Sequence, residues 1–265
     1  MQISSRSRTY YVFLLSGLAL AGLTVWIAWN SGFFELGKAP GGIFSEKYNV
    51  LFLSGVVSAV SSCCIGLTLS AYFVLRMRKT TSFELFFFSA AAFSLVFELF
   101  RIVAFSFYFD RSYILFIDTI TRVLIGARFF GIVCLFMGSL YSCGFMQGSV
   151  IKYLTGLILL SVFFSVLQPV NSGTLDSSFL SSIGNARNYY IFTIFISIVT
   201  VVNYMIAGRN DPVFIRSGFF LAGFIVSRQV LQYASGLVQV TLAALACIVC
   251  AFLYIRTLFT QYMWD

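Results

Sequence analysis

Eight stretches of this chain are almost free of charge, and each runs for about 18 residues or more. They are 10–29, 48–75, 83–107, 113–141, 151–168, 188–206, 213–234 and 236–258. As helix, at a rise of about 1.5 Å per residue, each can cross a hydrocarbon layer roughly 30 Å thick. A segment that faces lipid must satisfy its own backbone hydrogen bonds, which leaves only helices and closed barrels. Barrel strands alternate apolar and polar residues over about ten positions, and these runs do not alternate. The sequence therefore predicts an all-α, polytopic integral membrane protein: a bundle of eight transmembrane helices, forming one domain over 1–265 with no soluble domain. Only 10% of residues are charged, against about a quarter in soluble domains.

The run boundaries carry helix signals. "TSFE" at 81–84 reads as a capping box with Thr81 as N-cap and Glu84 three residues on. Asp211 and Pro212 suit an N-cap and the first helical position. Gly236 marks a tight turn between the last two helices, while "GKAPGG" at 37–42 and the Ser/Asn/Gly-rich 171–188 read as loops.

The net charge of +8 is explained by membrane orientation before nucleic acid, because Lys and Arg collect in cytoplasmic loops. With the N-terminus inside, Arg6, Arg8, Arg76, Arg78, Lys79, Lys152, Arg209, Arg216 and Arg256 fall on the cytoplasmic side. Lys38, Lys47, Arg111 and Arg187 fall outside. This predicts a plasma (inner) membrane of bacterial type with both termini cytoplasmic, and it places Trp26 and Trp29 at the outer interface. The first run has a second reading. "SRSR" at 5–8, the apolar stretch after it and the small residues "ALAG" at 19–22 resemble a signal peptide. Its removal would leave seven helices; against that, the apolar character continues to Trp29.

Several chemistries lack their residues. The chain has no histidine, which removes His-ligated haem and metal centres and His-based hydrolases. Lys38, Lys47, Lys79 and Lys152 lie near run ends, not where a Schiff base would need them. The acids form no D-x-x-D pair, and no P-loop or nucleophile elbow occurs. The six cysteines, Cys63, Cys64, Cys134, Cys143, Cys247 and Cys250, lie in or beside apolar runs and read as packing residues. The expectation is a protein that is not an enzyme, with no metal and no cofactor.

Against this background six ionised residues stand away from the ends of the runs: Glu98 and Arg101 in the third, Asp118, Arg122 and Arg128 in the fourth, and Arg228 in the seventh. Each costs on the order of 2.5–3.5 kcal/mol at the centre of a bilayer, so each is expected to face the bundle interior and find a partner. Depths counted along the helices are roughly 9 Å for Arg101 and Arg228, 8 Å for Asp118, 13 Å for Glu98 and 14 Å for Arg122. Arg128 falls deeper, at roughly 22 Å. Glu98 and Arg101 are i,i+3, and Asp118 and Arg122 are i,i+4, so each pair shares a helix face. Gln229 and Gln232 extend a polar stripe from Arg228.

Two accounts of this layer stand side by side. One is a salt-bridge network that fixes helix packing. The other is a site for an anionic or lipid-like ligand, since four arginines face two acids and a guanidinium binds carboxylate or phosphate bidentately. The functional expectation is an outward-facing binding, sensing or accessory component with an Arg-rich pocket. A small transporter subunit and a structural subunit of a membrane complex are the alternatives. The expected partners are the lipid bilayer, such a ligand, and a membrane or cytoplasmic protein, but not nucleic acid.

Overall fold

In the computed structural model, residues 2–30, 46–76, 82–108, 114–144, 149–175, 180–209 and 211–262 are described. The elements in order are α1 (Gln2–Asn30), α2 (Glu46–Arg76), α3 (Phe83–Phe93), a 3₁₀ segment (Ser94–Leu99), α4 (Phe100–Tyr108), α5 (Ile114–Ser142) and α6 (Val150–Leu167). A hairpin of β1 (Val170–Leu175) and β2 (Ser181–Ile183) follows, and then α7 (Ala186–Ala207), α8 (Pro212–Tyr233) and α9 (Leu237–Tyr262). The fold is helical, and among the described residues eight spans are long and apolar enough to cross a membrane. The third of these is α3, the 3₁₀ segment and α4 taken together.

The third and fourth spans form the middle of the bundle. They are 78% and 72% buried against protein, whereas the other six are 22–44% buried. Those six present their long apolar side chains outward, among them Leu159, Phe163, Phe195 and Phe219. The two central spans are antiparallel: Phe107 meets Phe116 at one end and Phe87 stacks on Tyr141 at the other. Close approach of α2 to the third span depends on Gly66, where a Cβ would stand 2.9 Å from the Ala92 carbonyl oxygen and 3.2 Å from the Leu95 side chain.

Three local expectations change. The N-cap of α3 is Ser82, whose extended backbone (φ −61°, ψ 125°) lets its hydroxyl oxygen accept from Leu85 N. Thr81 lies outside the described residues, as do Arg78, Lys79, Asp110, Arg111 and the 37–42 loop. The third run is not one α-helix, because its centre tightens to 3₁₀ over Ser94–Leu99. The Ser94 hydroxyl donates back to the Ala91 carbonyl, the kind of competing bond that bends helices. The 171–188 stretch is not only loop. Val170 and Asn171 pair with Ile183 and Ser182, and Ser181 N donates to Thr121 Oγ1 of α5 at 3.2 Å, which fixes the hairpin against the bundle. At α8 the cap is as the sequence indicates: Asp211 accepts from Val213 N at 2.9 Å, with Pro212 opening the helix.

Candidate functional site

The central charge cluster is assembled by α2, the third span, α5 and α8. Glu98 sits where the chain winds at about 3.0 residues per turn, which stacks position i over i+3. Arg101 comes to rest beside it, with Nη1 3.7 Å from Glu98 Oε2. Arg128 of α5 makes the stronger pair. Its Nε and Nη2 donate to the two Glu98 oxygens at 2.8 Å each, the bidentate fork that suits guanidinium to carboxylate. The third arm of Arg128, Nη1, donates to Tyr233 Oη at 3.4 Å, and the guanidinium carbon stands 5.2 Å from the centre of the Tyr233 ring.

The other two arginines tie this pair to the surrounding helices. Arg101 Nη1 donates to Ser58 Oγ at 3.1 Å, and Ser58 in turn donates to the Leu231 carbonyl of α8. Arg228 Nη2 donates to Ser94 Oγ at 3.0 Å and to the Arg128 carbonyl at 3.3 Å. Room for Arg228 comes from Gly131, because a Cβ there would overlap its guanidinium and Ser94 Oγ. Glu98, Arg101, Arg128 and Arg228 are only 1–3% exposed. Among the described residues, three buried guanidinium groups thus gather around the Glu98 carboxylate.

Several donors in this region find no acceptor among the described residues. Arg228 Nε and Nη1, Gln232 Nε2 and Ser62 Oγ are buried without a hydrogen bond among the described residues. Gln232 is one turn beyond Arg228 on the same face of α8. Ser62 is one turn past Ser58 on α2, whose hydroxyl meets the Leu231 carbonyl of α8. The unsatisfied atoms are N–H groups and one hydroxyl, a set suited to an anion. Among the described residues no three metal-ligating side chains cluster.

The remaining charged residues stand elsewhere. Asp118 and Arg122 share a helix face but do not pair: Asp118 Oδ1 accepts from Ser181 Oγ of β2 at 2.8 Å, and Arg122 Nη1 donates to the Val166 carbonyl near the end of α6 at 2.7 Å. The hairpin and an unsatisfied helix-end carbonyl outcompete the local ion pair. Gln229 faces outward into a groove with Ile194, Ser197 and Val230. The single layer expected from depth counting is thus corrected. Arg128 joins Glu98, while Asp118, Arg122 and Gln229 do not. Ser58, Ser94 and Tyr233 join the cluster without having been singled out as site residues; their only signal was a polar atom within or at the end of an apolar run.

The fold and site define an all-helical bundle with eight potential membrane spans around a cation-rich core. No family model, no curated protein and no solved structure matches the chain.

Proposed function

We propose that this chain is a multi-pass membrane protein that binds an anionic ligand at the Arg228 face of its charged core, acting as a binding, sensing or accessory component. The observation that carries this reading is Arg228, buried beside the Glu98–Arg128 pair with two N–H groups that have no acceptor among the described residues. An uncompensated buried charge costs several kcal/mol, and a bound anion offsets that cost. A second reading, a transporter subunit for an anionic solute, draws on the 3₁₀ break at Ser94–Leu99. Interrupted helices beside a mid-membrane site are a device of transporters.

The test is thermal unfolding of the detergent-purified protein in sodium chloride, sodium phosphate or sodium gluconate at matched ionic strength. A compact anion at a hundred times its Kd stabilises by about 2.7 kcal/mol, so chloride or phosphate is expected to raise the Tm over bulky gluconate. Arg228→Gln is expected to erase that difference. An equal loss of stability in all three salts would identify the cluster as a packing network instead. Uptake of the stabilising anion by proteoliposomes containing this chain alone would select the transporter reading.

A further inference from the structure

A second arginine site lies outside the charged core. A groove of about 480 Å³ runs along the side of the bundle between α1, the third span, α5 and α6, with Phe97, Gly126 and Val162 among its walls. Its size falls within the range of small-molecule sites, roughly 300–1,000 Å³. The rim is exposed apolar side chain, including Val123, Ile158 and Val162, so the groove opens sideways to whatever solvates the bundle. The hydroxyls on its walls are already spent: Thr119, Ser161 and Ser165 each donate to a carbonyl of their own helix. That leaves one charged group, Arg122. It donates one N–H to Val166 O, and among the described residues it forms no ion pair.

The height of Arg122 matters as much as its charge. Helix α5 has 29 residues, about 43 Å at about 1.5 Å per residue, and so overshoots a hydrocarbon layer of roughly 30 Å at both ends. Counted from Ile114, Arg122 is about 12 Å along the helix, roughly 5 Å inside the hydrocarbon boundary when the helix is centred. Its side chain leans toward the helix N-terminus and therefore toward that boundary. Independent markers agree on the level. Ile27 packs against the apolar cluster that includes Val103, Ile117 and Ile120, and on either side of Ile27 the exposed Trp26 and Trp29 suit a membrane interface.

From this juxtaposition of an unpaired guanidinium at interfacial depth and an apolar channel leading away from it, we infer that the groove holds one acyl chain of an anionic phospholipid whose phosphate is bound by Arg122. The bilayer supplies this ligand, and the site does not depend on the anion proposed for the core. The guanidinium gives selectivity for anionic head groups, and the groove gives affinity for the chain. A zwitterionic lipid of the same acyl composition fills the groove but carries a cation that Arg122 opposes.

The experiment compares dioleoyl phosphatidylglycerol with dioleoyl phosphatidylcholine, added at equal mole ratio to the full chain in detergent. Thermal unfolding and native mass spectrometry of retained lipid are the readouts. Phosphatidylglycerol is expected to raise the Tm further and to remain bound. Arg122→Gln is expected to weaken its retention about tenfold or more, the scale of a lost charge-assisted hydrogen bond. Arg122→Lys keeps the preference. Val162→Trp, on the exposed rim, leaves the charge in place but blocks the channel and lowers retention. Arg228→Gln leaves the preference intact. Equal effects of the two lipids, a preference that survives Arg122→Gln or disappears with Arg228→Gln, or the same stabilisation by inorganic phosphate alone, would each overturn the inference. Should Arg122→Gln fail to fold, the Arg122→Lys and Val162→Trp proteins decide the question.

Discussion

Glu98→Gln is expected to be among the most damaging single substitutions in the bundle, and Arg128→Gln to cost clearly less, although the two residues are partners in one bidentate pair. Within the four-residue cluster Glu98 is the only carboxylate, and it meets both Arg128 and Arg101. Replacing it leaves three guanidinium groups in a core where none is more than 3% exposed, and turns an amide NH₂ toward N–H donors. Breaking a buried pair in this way costs about 3–5 kcal/mol. Arg128→Gln breaks the same two bonds, but it removes one of the three guanidinium groups and leaves Glu98 its contact with Arg101. The measurement is equilibrium unfolding of both single variants and of the double variant Glu98→Gln/Arg128→Met in one detergent. The double variant is expected to be more stable than Glu98→Gln alone, because it removes the stranded cation with its partner. An Arg128→Gln protein as unstable as Glu98→Gln would show that the hydrogen bonds, not the charge balance, set the cost.

That asymmetry was only half visible in the sequence. The eight spans are legible because length and apolarity impose them; α5 and α8 begin and end within a residue or two of their apolar runs. The charged residues are legible as an anomaly for the same reason. Which of them meet is not legible, because that depends on the register between helices. Taking residues 107 and 113 as level places Glu98 beside Arg122. The actual register sets Phe107 against Phe116 and Phe87 against Tyr141, so Glu98, near the middle of its span, falls opposite Arg128. The 3₁₀ segment shifts this register further, since its larger rise of about 2.0 Å per residue lengthens the third span relative to α5. Side-chain direction also counts. In antiparallel helices Glu98 and Arg128 lean toward opposite ends, which closes the depth gap that main-chain counting leaves between them. The i,i+4 spacing of Asp118 and Arg122 fails as a guide for another reason. Each finds a partner from outside the helix, a hairpin hydroxyl and a helix-end carbonyl, and no local rule contains those.

Gly131→Ala should change sign with its background. In an ordinary helix interior Gly→Ala stabilises by about 1 kcal/mol. Here the added methyl would occupy the place of the Arg228 guanidinium and of Ser94 Oγ. Overpacking of this kind costs typically 1–3 kcal/mol. The displaced Arg228 would also give up its bonds to Ser94 Oγ and to the Arg128 carbonyl, each to a charged donor and of order 1.5–3 kcal/mol. The wild-type background should therefore show a loss of about 3 kcal/mol or more in unfolding measurements. Any chloride- or phosphate-dependent stabilisation should vanish with it, because the same guanidinium holds the proposed anion. In an Arg228→Ala/Ser94→Ala background both obstacles are gone and the methyl partly refills the space left by the two side chains. Gly131→Ala is then expected to stabilise, by about 1 kcal/mol. A glycine needed only for close approach of helix backbones would instead give the same loss in both backgrounds, and that result would separate the seat of Arg228 from helix packing.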